Sequence, residues 1–200
     1  MDYKKLLDEI AVYAADILKC QPICQFQYHN IEHTRSVVKN VEVLGKSLNV
    51  DKDTMYVLKV SAWFHDLGYV NSYTNHEDES IRMASEFLSE RKIDPGFIKS
   101  VVEGIDATRV PQNTKMLIGK IMADADLFDL GTDRFFTLSK NLWSEWNKNI
   151  KPIDELEFWT ISFDFLKSHC YFTDYAREVL ESKKQDNLKK VKKKMDVLQK

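Results

Sequence analysis

His65 and Asp66 stand side by side at the close of an apolar run, Met55, Val57, Leu58, Val60, Ala62, Trp63 and Phe64, dense enough to form a buried helix. Gly68 follows as a natural helix stop, so two ionisable side chains are carried into the interior at the end of a core helix. A buried, ionised carboxylate without a partner is costly; it neutralises, pairs with a cation or binds a metal. Adjacent helix positions diverge by about 100°. His65 and Asp66 can therefore share one cation only where the helix frays or the ion sits near its end. An isolated His-Asp pair more often makes a salt bridge or a helix-end hydrogen bond, so the other segments have to decide.

Those segments read as helices. Leu6, Ile10, Tyr13, Ile17 and Leu18 recur at helical spacing between Asp2 and Lys19. Pro22 breaks that pattern, and Asn30 is a good N-cap for a second helix whose inner stripe is His33, Val37, Val41 and Leu44, with His29 just outside its start. The helix carrying Asp66 comes next. A polar loop from Tyr69 to Asn75 leads into a helix from about His76 to Glu90, in which Glu77 begins the buried face. Pro95 starts another helix, running to about Thr108. The segment from Thr114 to Leu130 embeds Asp124 and Asp126 in apolar sequence. Further helices are expected from about Asp133 to Lys148, Asp154 to Cys170 and Thr173 onward. There is no strand-like alternation and no internal repeat. The expectation is an all-α protein, a single helical bundle of eight or nine helices.

Composition supports this reading. At 200 residues, with 44% hydrophobic residues, 12% aromatics, 6 Gly and 4 Pro, the chain suits one globular domain poor in turns. Residues 1–180 are expected to form the helical domain, and residues 181–200 a basic amphipathic helix belonging to it. Those last twenty residues hold eight lysines against three acids, +5, which leaves −7 on the first 180. An acidic body argues against a general grip on nucleic acid, since phosphate contacts need a basic surface. The stripe Leu188, Val191, Met195 and Leu198 would dock on the body or on a second subunit as a homodimer. No run reaches the roughly 18 apolar residues of a membrane span, and the N-terminus lacks a signal-peptide core, so a cytoplasmic protein is expected. Cys20, Cys24 and Cys170 are odd in number and fit neither a disulfide framework nor a thiolate zinc site.

The polar residues on apolar faces are His33, His65, Asp66, Asp126 and, less clearly placed, His76 and Glu77. Two imidazoles and two carboxylates form a mixed N/O set suited to Mn, Fe, Zn, Co or Ni, with coordination positions left open for catalysis. Asp124 and Asp126 lie about 200° apart on their helix, so only one can face such an ion.

In this order the residues resemble the HD-domain metal-dependent phosphohydrolases, whose signature is a His, a His-Asp pair and a distant Asp. Here these are His33, His65-Asp66 and Asp126. The blocks Tyr28-His29-Asn30-x-x-His33, Ala62-Trp63-Phe64-His65-Asp66, His76-Glu77-x-x-Ser80 and Asp124-Ala125-Asp126-Leu127 are similar to one subfamily of predicted HD phosphohydrolases, over roughly residues 26–145. The resemblance implies His33, His65, Asp66 and Asp126 as ligands of one divalent ion, Mn, Mg, Fe, Co, Ni or Zn. Asp124 would then lie on the surface or behind the ligands. It also implies hydrolysis of a phosphate ester or anhydride of a small molecule, a nucleotide in the first place.

A bound metal activates a water and neutralises phosphoryl charge. Asp66 and Glu77 are the catalytic candidates, Glu77 assisting as acid or base. His29 and His76 are candidates for substrate contact. Arg109 and Lys115 are better placed for phosphate than Arg35 or Arg82, whose helix positions turn them away. The competing reading is a catalytically quiet HD module that binds a nucleotide or metal and acts through a protein partner. A purely structural ion is the third.

Overall fold

The computed structural model describes residues 3–20 and 22–200. Among them are nine α-helices and no strand. The helices are α1 (Tyr3–Ile17), α2 (Ile31–Ser47), α3 (Lys52–Phe64), α4 (His76–Glu90), α5 (Pro95–Asp106), α6 (Leu117–Asp126), α7 (Phe135–Asn149), α8 (Glu155–Ser168) and α9 (Asp174–Leu198). Short 3-10 turns at Ile23–Gln25, Leu67–Val70 and Phe128–Gly131 link some of them. Sequence periodicity placed each helix within a few residues, and α4 at the bounds expected for it. No described helix is long and apolar enough to cross a membrane.

Helix starts are set by side-chain caps, which satisfy N–H groups left open in the first turn. Asn30 accepts from the backbone of Glu32 and His33, Asp51 from Thr54, Asp94 from Phe97, Asp154 from Glu157 and Thr173 from Ala176. The chain forms two compact units, residues 1–126 and 127–200.

In the first unit α3 is central, packing against α2, α5, α1 and α6. Its buried face, Val57, Val60 and Phe64, meets Leu6, Ile10 and Ala14 of α1, Phe87 and Leu88 of α4, and Val101 and Ile105 of α5. Ser61 fixes α3 against α5 by bonding the Val57 carbonyl at 2.9 Å and the Val101 carbonyl at 3.2 Å. Gly104 of α5 lies against Ser61, with no room for a side chain.

The second unit has its own core of Phe135, Ile153, Phe158, Trp159, Leu166, Val191 and Met195. α9 is continuous through residues 180 and 181. Val191 and Met195 of its expected stripe are buried, whereas Leu198 is exposed. Two polar residues of α9 are buried as well. Asn187 donates to the carbonyls of Leu130 and Thr132, and Lys184 bonds the His169 carbonyl at 2.6 Å and Glu181 at 2.9 Å.

Candidate metal centre

Four helices of the first unit each bring part of the site. α2 supplies His33 from its first turn, held there by the Asn30 cap. α3 ends at Phe64, with His65 as its C-cap and Asp66 opening the 3-10 turn that follows. The helix does lose its regular winding at this pair, which frees the two side chains from the 100° divergence of consecutive helical positions. α6 contributes Asp126 at its last residue, and Asn40 Nδ2 holds the neighbouring Ala125 carbonyl at 3.0 Å. α4 brings His76 and Glu77 at its first turn.

The Leu67–Val70 turn lies tightly on α4. The Gly68 N–H donates to Ser80 Oγ at 2.9 Å, and a Cβ on Gly68 would sit 1.9 Å from the His76 carbonyl oxygen. Gly68 does not adopt a positive φ. Its expected role as a conformational helix stop is therefore replaced by one of close approach between backbones.

The donor atoms converge. His33 Nε2 lies 3.3 Å from His65 Nε2 and 3.2 Å from both Asp66 Oδ2 and Asp126 Oδ1. His65 Nε2 is 3.1 Å from Asp66 Oδ2 and 3.6 Å from Asp126 Oδ1. Donors about 2.0–2.2 Å from a common ion, at angles near 90–110°, would be separated by similar distances. His65 Nδ1 lies 2.8 Å from the Ala62 carbonyl, which can only accept, so in the neutral ring Nε2 carries the lone pair.

Asp66 Oδ2 is buried and makes no well-aligned hydrogen bond despite its two close imidazole neighbours. Close approach without alignment fits atoms aimed at a shared point between them. His33, His65 and Asp66 form a buried group compatible with a divalent metal site.

Without a cation the cluster is an ion network. Burial opposes charge on His33, but contact with the Asp126 and Asp66 carboxylates outweighs it and raises the imidazole to about 9. Burial likewise opposes charge on His65, and Asp66 and Asp126 raise it above the usual histidine range. Burial would raise Asp126, yet His33 and His65 hold it down to about 2; Asp66 is lowered by the same two rings.

Beside this cluster His76 stacks flat on Tyr69, with centroids 3.8 Å apart and planes 12° from parallel, and His29 stacks on the same tyrosine at 4.2 Å. His76 Nε2 faces Asp66 Oδ1 at 3.7 Å and Glu77 Oε1 at 3.5 Å. Burial lowers the pKa of His76. Glu77 Oε2 faces Arg109.

His33, His65, Asp66, Asp126, His76 and Glu77 are thus brought together, and His29 joins them through Tyr69. Lys115 is exposed. Arg35 and Arg82 pair with acids of their own helices, Glu32 for the first and Glu79 and Glu86 for the second. Asp124 is fully buried, which corrects the expectation that allowed it a surface position. The apolar stretch around it was the signal for burial.

The aromatic wall was missed at Tyr69, read as the start of a polar loop. Tyr28, quoted only as part of a motif, lies with its ring centroid 4.9 Å from that of His33.

No protein-family profile matches the chain, and no curated protein matches it. Solved structures do. A predicted HD superfamily hydrolase from an uncultured Thermotogales bacterium is 19% identical, with 99% of each chain covered and a TM-score of 0.63. The Lin1889 protein of Listeria innocua is 16% identical, with 98% of this chain and 99% of that one covered and a TM-score of 0.66. Bacillus subtilis YpgQ, solved in complex with ADP, is 19% identical, with 96% and 95% covered and a TM-score of 0.68. At these identities the likeness is one of architecture: the chain shares the all-α fold of these proteins, one of them a predicted HD superfamily hydrolase.

Proposed function

We propose that the protein is a metal-dependent phosphohydrolase acting on a small phosphorylated molecule, a nucleotide in the first place. The observation that carries the reading is the approach of the His33 and His65 Nε2 atoms to one another, at 3.3 Å, and of each to Asp66 Oδ2 and Asp126 Oδ1, at 3.1–3.6 Å, with His33, His65 and Asp66 buried. These four residues would hold one divalent cation. When bound, it would activate a water as nucleophile and offset charge on the phosphoryl oxygens.

The protein's own groups do the rest. Glu77, buried at the start of α4 and within reach of His76, accepts the proton of the attacking water or returns it to the leaving oxygen. Asp66 orients both ends of the site, with Oδ2 toward the two ligating imidazoles and Oδ1 toward His76. His76 and His29, each stacked on Tyr69, form a wall against which the substrate is oriented. The ADP bound to YpgQ, a protein of the same fold, supports a nucleotide as the first substrate class to test.

The test is elemental analysis of the purified protein, followed by phosphate release from nucleotides and phosphomonoesters with Mn, Mg, Co, Ni, Fe or Zn. Turnover that requires a cation and is abolished by Asp66→Ala is expected. Nucleotide binding with no turnover under any metal would favour the catalytically quiet module instead.

A further inference from the structure

Arg109 is committed to carboxylates on every side. Its Nε donates to Asp106 Oδ1 at 2.7 Å, one Nη bonds Asp78 Oδ1, and the other reaches Glu77 Oε2 at 3.5 Å. The backbone fixes its origin. Arg109 lies one turn beyond Asp106, where its N–H bonds the Asp106 carbonyl, while the N–H and hydroxyl of Thr108 both bond the Ile105 carbonyl.

The three carboxylates are not equivalent. The Asp78 and Asp106 side chains are 68% and 60% exposed, so water can solvate them without the arginine; Glu77 is 11% exposed and has no such recourse. An exposed ion pair contributes little, whereas removing the partner of a buried charge leaves that charge uncompensated. The shortest contacts of Arg109 therefore hold the guanidinium in place, and its longest one matters most to the partner it touches. One positive charge among three negative ones also makes a poor landing site for an anion.

We propose that Arg109 is a positioning residue. Anchored by Asp78 and Asp106, it holds the Glu77 carboxylate in place beside His76, and it is not the cation that receives the phosphate of the substrate. This rests on the role given to Glu77 above and reverses the sequence expectation that Arg109 meets substrate directly.

The test is a double-mutant cycle of Arg109→Met and Glu77→Gln on the full-length protein, with three readouts. In thermal unfolding without ligand, Arg109→Met lowers the melting temperature by roughly 3–8 °C, and adding Glu77→Gln restores most of it, because the uncompensated charge is gone. In calorimetric titration of the Mn-loaded protein with ADP, Arg109→Met changes Kd by less than about threefold. With the best substrate of the metal screen, Arg109→Met lowers kcat about 10- to 100-fold at nearly unchanged KM, with no further loss in the Glu77→Gln background.

Additive losses of melting temperature, a weakening of ADP binding by about tenfold or more, or a raised KM at constant kcat would each overturn the assignment. Should Arg109→Met fail to fold, Arg109→Lys takes its place, with the same directions at smaller size. A screen that finds no turnover defeats the proposed activity and leaves the melting cycle to decide the Arg109–Glu77 pairing.

Discussion

His33 and His65 present their Nε2 atoms to one another 3.3 Å apart, and the His65 ring is turned that way by its bond to the Ala62 carbonyl. Two basic nitrogens held so close favour a shared cation, and in its absence protons take that place. A cation must therefore displace protons from the two imidazoles, which the neighbouring carboxylates help to hold there. Added Zn or Mn is expected to raise the melting temperature. At a concentration about 100 times Kd the stabilisation is about 2.7 kcal/mol, or roughly 5–10 °C for a protein of this size. The increment should vanish in His33→Ala and Asp126→Ala and persist in His76→Ala. Differential scanning fluorimetry of the metal-stripped variants with and without the ion decides it.

Gly68 offers a sharper test of how α4 is docked. A Cβ there would lie 1.9 Å from the His76 carbonyl oxygen, 2.7 Å from Ser80 N and 2.8 Å from Glu79 Cβ, all part of a helix that cannot move one residue at a time. Gly68→Ala is expected to cost about 3 kcal/mol. It should also weaken metal binding, because Asp66 begins the same turn. Urea unfolding and metal titration would show the two losses together, and a neutral Gly68→Ala would mean the turn is not pressed against α4.

Helix positions and starts were legible because they depend on local signals. The Asn30 cap, the buried stripe of α2 and the bounds of α4 follow from residues a few positions apart. His33, His65, Asp66 and Asp126 could be chosen as polar residues on apolar faces, since burial has to be justified by a partner. What faces what across helices could not be read this way. The place of Arg109 just past the end of α5 says nothing of Glu77 and Asp78 arriving from α4. Gly68 was noticed for the wrong property, conformational freedom in place of missing volume. In α9 the density of exposed lysines concealed Lys184 and Asn187, two buried positions that tie it to the rest of its unit.

The Asn30 cap couples local helix stability to the site. Its side chain accepts from Glu32 N at 2.9 Å and His33 N at 3.2 Å, so Asn30→Ala should cost about 1 kcal/mol and let the turn that carries His33 fray. Asp51→Ala is the control. It removes a cap of the same kind, on Thr54 at the far end of α3 from the His-Asp pair, and should cost a similar amount. Metal affinity should fall in Asn30→Ala and hold in Asp51→Ala; equal losses in both would show that affinity tracks global stability alone.

His169 gives the second unit a pH dependence of its own. Burial, with the Lys184 ammonium close by, holds the imidazole at about 4, against 6.5 for an unhindered histidine, while Glu181 opposes the shift weakly. Its Nδ1 lies 3.4 Å from Lys184 Nζ, the Tyr171 ring packs edge-on at 4.7 Å and the Phe165 ring lies at 6.1 Å, so a proton on the ring would meet a fixed positive charge in a poorly solvated place. The folded pKa is depressed. Between pH 6.5 and 4 the unfolded chain binds a proton that the folded one refuses, so this contribution is complete above pH 6.5 and is lost as pH falls toward 4. The loss should amount to roughly 1–3 kcal/mol after allowance for partial exposure. His169→Gln should therefore be no more stable than the parent at pH 7.5 but close the gap or overtake it at pH 4.5. Parallel urea titrations of the two proteins at both pH values measure this difference, and equal slopes of stability against pH would remove His169 as its source.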